Sequence, residues 1–407
     1  MLKRSLFRIS LVGVGNIANA VLGFVFLTAV AKILSVEDFG KYALLISLLV
    51  SVSKIIDFGT NSLFVAESIV GGTADKDSFL TAKVLLFLIS VFITLPILYL
   101  LNLLAWESAI LFIGGLVGYG VSYTLFPFFQ KYEKFHLVVA LNTVPAVVKG
   151  VFGVVILLNL LTISLTSAFG IFALAMLFSS LLGLFLPEKL TKFAFSPDKA
   201  LTSLVKAAPA GASLLINESW QAISNTVITI SKTLTDVGVF SLANKIANIF
   251  MLISLSIFTV LLPKNALRKK ENLGYDVKET LVLSALVILV SFAGIFASKL
   301  FIQTVFGEKF SGSLNLLAIL IMAGAVTAIH TFTENYFYIE RQIKILFLIS
   351  TSKLAAFLTL AAALVPSYSL RGLAYAHLLS ALLALAATSF VVVTHSKTKN
   401  RKYNSIQ

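Results

Sequence analysis

Long apolar runs separated by short polar connections fill the 407-residue chain. A helix that spans a bilayer needs about 20 mostly apolar residues. Twelve runs meet that length: 8–31, 40–66, 80–101, 108–130, 136–158, 163–187, 207–231, 238–263, 279–301, 313–338, 343–365 and 372–394. The two longest connections, 188–206 and 264–278, are both basic. Met1-Leu2-Lys3-Arg4 leads into the first run with no small-residue cleavage site after a short apolar core. That run therefore reads as a membrane helix and not as a removed signal peptide. The pattern predicts an all-α, polytopic membrane protein.

Composition excludes a soluble reading. Hydrophobic residues make up 58% of the chain and charged residues 12%, with a mean hydropathy of +0.98. Such a chain cannot cover its surface with polar groups and needs lipid as part of its solvent. The 32 Lys+Arg against 18 Asp+Glu give a net charge of +14, which in a soluble domain would suggest nucleic acid. Here the basic residues sit mostly in the connections, and no nucleic-acid partner is expected. With the N-terminus in the cytoplasm, 22 Lys+Arg fall on the inner side, Lys83 among them, and 6 on the outer. This is the positive-inside bias over short loops. It predicts an even number of spans with both termini cytoplasmic. The tail Lys397-Thr398-Lys399-Asn400-Arg401-Lys402 reads as a solvated anchor near anionic headgroups.

The absences narrow the function. There is no cysteine, which removes disulfides, thiolate metal sites and cysteine nucleophiles. No G-x-x-x-x-G-K-[ST] or H-E-x-x-H occurs, so no metal, nucleotide or other cofactor is expected. No polar segment exceeds about twenty residues, too few for the extramembrane domain of a glycan-assembling enzyme. The expected class is a transporter without its own nucleotide engine.

The two halves resemble each other. Ala31-Lys32-Ile33-Leu34-Ser35 lines up with Ser231-Lys232-Thr233-Leu234-Thr235. After a two-residue gap, Asp38-Phe39-Gly40-Lys41-Tyr42 lines up with Asp236-Val237-Gly238-Val239-Phe240. Both segments join the first two spans of a six-span half. Repeats of even span number face the same way, which predicts two six-helix lobes (6+6) about a pseudo-twofold along the membrane normal and a central cavity. The expected division is 1–195, 196–395 and a basic tail 396–407. Asp38 and Asp236 are expected to cap the following helices, with Gly40 and Gly238 allowing a tight turn.

Four lysines lie inside spans: Lys54, Lys149, Lys245 and Lys353. The hydrocarbon half-thickness is about 15 Å, and a lysine stem reaches roughly 6 Å. Lys54, Lys149 and Lys353 lie near their span centres and cannot reach the headgroups; Lys245 lies nearer the outer end. A central lysine costs about 3 kcal/mol even on the gentlest scale. Three readings stay open: internal ion pairing, a water-filled cationic cavity for an anionic substrate, or ion coupling through Asp57, Glu218 or Glu334. Lys54 and Asp57 are i, i+3 and able to pair; Glu218 and Glu334 are in reach of lysines on neighbouring helices.

Other polar residues in spans are Asn16, Asn19, Asn217, Tyr119 and Tyr123. Each asparagine reads either as cavity lining or as an interhelical hydrogen bond. His330 and Glu334 are i, i+4, which suits a proton relay or a satisfied packing pair. Pro209 and Gly211, and separately Pro145, predict bent helices.

The stretch Ala31–Gly59, AKILSVEDFGKYALLISLLVSVSKIIDFG, resembles the first-loop and second-helix signature of polysaccharide and O-antigen flippases. These belong to the multidrug/oligosaccharidyl-lipid/polysaccharide exporter superfamily. Thr235–Asn248, TDVGVFSLANKIAN, is similar to that family's start of helix 8, and Phe306-Gly307-Glu308-Lys309-Phe310 to its helix 9–10 loop. The resemblance implies a substrate, an oligosaccharide on a polyprenyl diphosphate, flipped across the bacterial inner membrane for surface polysaccharide such as O-antigen. It implies a cation-lined cavity, which agrees with the buried lysines because lysine is a common phosphate partner. It also implies membrane lipids, a polysaccharide polymerase and a chain-length regulator as partners. The alternatives are a drug or cation exporter of the same superfamily, an unrelated sugar or metabolite carrier, and an integral-membrane enzyme of glycan assembly.

Overall fold

The computed structural model describes residues 2–68, 75–186, 193–248, 277–340 and 342–404. Its helices in chain order are α1 (Leu2–Ile33), α2 (Val36–Asp57), α3 (Thr60–Ala66), α4 (Lys76–Leu100), α5 (Trp106–Lys131), α6 (Phe135–Leu157), α7 (Leu165–Ser179), α8 (Pro197–Glu218), α9 (Trp220–Ser231), α10 (234–248), α11 (Val277–Phe306), α12 (Ser311–Ile339) and α13 (Ile343–Asn404). No strand occurs among the described residues. α13 holds two helices joined at Ser369, whose φ of 52° and ψ of −136° leave helical space. Counting α2–α3 and α8–α9 as broken spans and α13 as two, each of the twelve expected spans has a described helix.

Helix ends run beyond the apolar runs. α8 starts at Pro197, so half of the connection expected over 188–206 is helical. Its first turn supplies the reason: proline at N1 and Asp198 next to it suit a helix start. α4 starts at Lys76, where Asp75 accepts from the backbone N–H of Asp77 at 3.0 Å and Ser78 at 3.3 Å. Capped polar turns continue a helix past the point where hydropathy stops. The rest of the eighth span, 249–263, and almost all of the connection 264–278 lie outside the described residues.

Contacts divide the chain into two units, Met1–Gly238 and Val239–Gln407. The first holds α1–α7 together with α8 and α9, which the repeat would place in the second half. α8 packs on α2, α3 and α4, and α9 on α2. Apolar lipid offers no hydrophobic drive between helices, so close backbone approach decides the packing. A Cβ on Gly153 would come within 2.8 Å of Phe26 Cα, and one on Gly118 within 2.6 Å of the Met176 carbonyl carbon. Those glycines hold α6 on α1 and α5 on α7.

The repeated segment folds the same way twice, in a register and a role that differ from expectation. Ser35 Oγ accepts from Asp38 N at 3.0 Å and donates to Asp38 Oδ2 at 2.8 Å. Thr233 Oγ1 accepts from Asp236 N at 3.2 Å and donates to Asp236 Oδ2 at 2.8 Å. Ser35 is therefore the N-cap of α2, Thr233 takes the same place before α10, and the aspartates sit three residues in, where a carboxylate still meets the helix dipole. Ser35 matches Thr233, not Thr235. The glycines lie inside the helices rather than in turns. A Cβ on Gly40 would strike the Leu234 carbonyl, and one on Gly238 would strike the Val36 carbonyl. The two helix starts thus cross through equivalent atoms, and each glycine is needed because backbone lies against it.

In the second unit α12 packs along α11 and α13. Ala325, Ala328 and Phe332 of α12 pack with Val287 of α11. The turn between α11 and α12 is a short 3-10 segment, Gly307–Phe310. Gly307 takes φ 58°, and the Phe306 and Phe310 rings meet edge to face at 5.3 Å.

Candidate functional site

The second span is broken inside the unit. α2 ends at Asp57, Phe58 takes φ 36° and Gly59 φ 71° before α3 resumes. A Cβ on Gly59 would lie 2.8 Å from Gly211 N of α8, so left-handed backbone and close approach both call for glycine there. Thr60 Oγ1 donates back to the Asp57 carbonyl at 2.6 Å. Lys83 of α4 donates to the Ile56 carbonyl at 2.9 Å. The break thus satisfies its freed carbonyls internally, as membrane backbone must. Below it, Phe64, Phe79 and Phe128 stack with ring centroids 4.4 to 5.9 Å apart and fix α3 against α4 and α5.

Beside the break lies a cavity of about 460 Å³ between α2, α3, α5, α6 and α7. Four of the sequence-predicted residues line it: Lys54, Asp57, Tyr119 and Tyr123. Glu218, at the end of α8, reaches Lys54 at 3.5 Å. The expected Lys54–Asp57 pair does not form: Lys54 turns to Glu218 and to the Tyr123 ring, 5.4 Å from its centroid. Asp57 faces Lys83 instead, at 4.0 Å. The helix break is the reason, because α2 ends at Asp57 and its carboxylate points toward α4. Ser51 and Ser219 join the α2 and α8 backbones nearby through their hydroxyls at 2.5 Å.

Sequence reasoning missed Asn61, Gln130 and Asn142, which line the same cavity, and it placed Lys83 at a loop edge. Lys83 is 4% exposed, well inside α4. Its signal was the helix start at Lys76, which puts Lys83 two turns in.

The second unit brings together His330, Glu334 and Lys353. His330 Nδ1 is 3.3 Å from Glu334 Oε1, and its Nε2 is 3.0 Å from Thr388 Oγ1. Lys353 of α13 lies within electrostatic range of Glu334, His330 and His377. His377, also missed, is enclosed by Phe240 and Phe357 with ring centroids at 5.7 and 4.7 Å. His330 is 3% exposed with both ring nitrogens engaged, the geometry of a satisfied pair.

The remaining residues stand apart. Lys149 lies over the Phe172 ring at 4.5 Å. Lys245 and Asn217 are exposed. Asn19 keeps a buried Oδ1 without a hydrogen-bond partner among the described residues, and the Asn16 side chain lies outside them. Pro145 and Pro209 sit within continuous helices; the interruption after α8 falls at Ser219 and not at Pro209–Gly211.

A second cavity, of about 300 Å³, lies between α3, α4 and the start of α8. Lys199 bridges to Asp75 at 3.2 Å and Lys206 to Glu67 at 3.9 Å across it. Burial raises the Asp75 carboxyl, but the Lys199 ammonium and the Ser78 and Asp77 N–H groups outweigh it and hold it below the usual carboxylate value.

The described residues show no group of three or more acidic or histidine side chains able to hold a metal ion. No curated protein matches the chain. Among solved structures, a lipid II flippase MurJ in an inward closed conformation is similar, with 13% identity, 94% of this chain and 87% of that one covered, and a TM-score of 0.74. An inward-facing multidrug resistance MATE family transporter of the MOP superfamily aligns with 15% identity over 93% and 96% of the two chains, at a TM-score of 0.69. A mutant of the Vibrio cholerae MATE transporter VcmN aligns with 14% identity over 97% of each chain, at a TM-score of 0.62. The chain therefore shares its fold with these transporters and this flippase. A family model described as "Polysaccharide biosynthesis protein" matches residues 7–267, well over half of the sequence, and the chain belongs to that family.

Proposed function

We propose that the protein is a flippase that moves a polyprenyl-diphosphate-linked oligosaccharide from the cytoplasmic to the outer leaflet of the bacterial inner membrane by alternating access, with both termini cytoplasmic. The match to the polysaccharide biosynthesis family over residues 7–267 carries this reading, because it joins saccharide chemistry to a chain built of membrane helices. The short polar connections, none longer than about twenty residues, support a translocator over an assembly enzyme. Charge supports the same substrate. Of the four lysines predicted inside spans, Lys54 and Lys353 face carboxylates and Lys149 an aromatic ring, and Lys245, the exposed one, is the proposed diphosphate contact. The second half from 196 onward is the proposed moving partner of the first. The polymerase and chain-length regulator that act on the flipped unit are its proposed partners.

Lipid extracts test the reading. A strain lacking the gene should accumulate the complete lipid-linked oligosaccharide and lose surface polymer, and a wild-type copy should restore both. Normal lipid and polymer levels would reject it in favour of a drug or metabolite carrier. Accumulation of an incomplete oligosaccharide would point to an enzyme of assembly.

A further inference from the structure

The cavity beside the broken second span presents chemistry that a diphosphate does not fit. Lys54 is the sole lysine among its lining residues, and Glu218 stands 3.5 Å from that ammonium. The lining carboxylate, Asp57, would repel a phosphate. An organic cation fits no better. Lys54 already lies over the Tyr123 face and beside Glu218, and Lys83 already lies beside Asp57. The chain's own lysines fill both ionic positions.

What remains is neutral and polar. Asn61 Oδ1 is a buried oxygen without a hydrogen-bond partner among the described residues, and Asp57 Oδ1, which faces Lys83 at 4.0 Å, makes no hydrogen bond either. Asn61 is 7% exposed, so water does not supply its partner freely. Both atoms are acceptors. They call for a ligand that donates hydrogen bonds, which a phosphate at neutral pH does not. The amides of Gln130 and Asn142 add further donors and acceptors around the same space. Tyr119 and Tyr123 form a tilted aromatic pair, centroids 5.7 Å apart at 32°, an apolar surface with polar tips. Acceptors without hydrogen bonds, amides and an aromatic wall around about 460 Å³ match a ligand with hydroxyls on its edge and C–H groups on its faces, at a volume usual for small-molecule sites.

We propose that this cavity is a saccharide subsite: it takes the sugar portion of the lipid-linked substrate, with ring hydroxyls donating to Asp57 and Asn61, and leaves the diphosphate to lysines elsewhere. The inference rests on the flippase reading and assigns the two ends of that substrate to different places.

The chain has no cysteine, so a single Asn142→Cys variant reports on the cavity alone. The purified variant in lipid nanodiscs is labelled with a maleimide, and the labelling rate is followed with three probes. They are the oligosaccharide released by mild acid from the cell's lipid-linked pool, polyprenyl diphosphate without sugar, and tetraphenylphosphonium. The released oligosaccharide should slow labelling at least threefold, and the other two should leave it unchanged. Adding Asp57→Asn should weaken that protection roughly tenfold. Protection by polyprenyl diphosphate without protection by the oligosaccharide would overturn the proposal, as would protection by the cation alone or by no probe. Gln130→Cys, on α5 instead of α6, replaces Asn142→Cys if the latter does not assemble. Failure of the flippase reading shows separately, as a deletion strain that accumulates no lipid-linked oligosaccharide.

Discussion

The first unit and the second each bury a group of charges in the membrane, and the two groups are built differently. Beside the broken span, Lys54 meets Glu218, which is 45% exposed, and the pair borders an open cavity. In the second unit, His330 and Glu334 are enclosed, with Thr388 on the other ring nitrogen and Lys353 on the next helix. The first group is open on the Glu218 side, and the second closes around His330, which is 3% exposed. Equal charge content therefore predicts unequal consequences: stability depends on the second group, and substrate handling depends on the first.

Removing one partner of the enclosed group separates the two cases most sharply. Glu334→Leu removes an enclosed carboxylate that lies 3.3 Å from His330 and within electrostatic range of Lys353, which costs about 3 kcal/mol. The thermal midpoint of the detergent-purified protein should fall by many degrees, with aggregation on size exclusion. Lys83→Met is an intermediate case. It removes the donor to the Ile56 carbonyl at the helix break and should cost about 1–3 kcal/mol. Lys83→Arg should recover part of that. Lys54→Ala removes the partner of a carboxylate that is already 45% exposed, so stability should move by less than about 1 kcal/mol. Transport should nevertheless drop at least tenfold, read as accumulated lipid-linked oligosaccharide. A large stability loss in Lys54→Ala, or none in Glu334→Leu, would erase the distinction.

The smallest effect concerns Asp75, at the cap of α4. Its folded-state carboxyl is held below the ordinary value. The stabilisation is therefore complete at neutral pH, above the ordinary carboxylate range, and is lost as pH falls through the lowered folded value. Wild type should lose more of its thermal midpoint than Asp75→Asn between about pH 5 and pH 2. Equal losses would mean that Lys199 and the cap N–H groups do not favour the charged form.

Hydropathy alone located the spans, because length and apolarity are local properties. It also flagged Lys54, Asp57, Glu218, His330, Glu334 and Lys353, since a charge inside an apolar run is conspicuous. Partners were less legible. Lys54 and Asp57 are spaced for an i, i+3 pair, yet Phe58 and Gly59 break the helix and send Asp57 toward Lys83. Asp-Phe-Gly within a span is a weak cue, and the close packing of Gly59 on Gly211 is a tertiary fact. Gly40 and Gly238 teach the same lesson. Their place in the repeat was visible, but their reason, a crossing of helix starts against the Leu234 and Val36 carbonyls, is not local. Asn61, Gln130 and Asn142 were passed over because an uncharged amide in a membrane span has an ordinary use, and only the cavity distinguishes these three.

Reconstitution decides whether the chain itself moves the lipid-linked saccharide. Proteoliposomes carrying lipid-linked oligosaccharide from the deletion strain would be scored for glycan reaching the leaflet open to an impermeant lectin. Translocation should depend on the protein, and Lys54→Ala should lower it at least tenfold in folded, correctly inserted protein. Translocation no faster than in protein-free vesicles, with wild-type protein folded and inserted, would overturn the flippase reading.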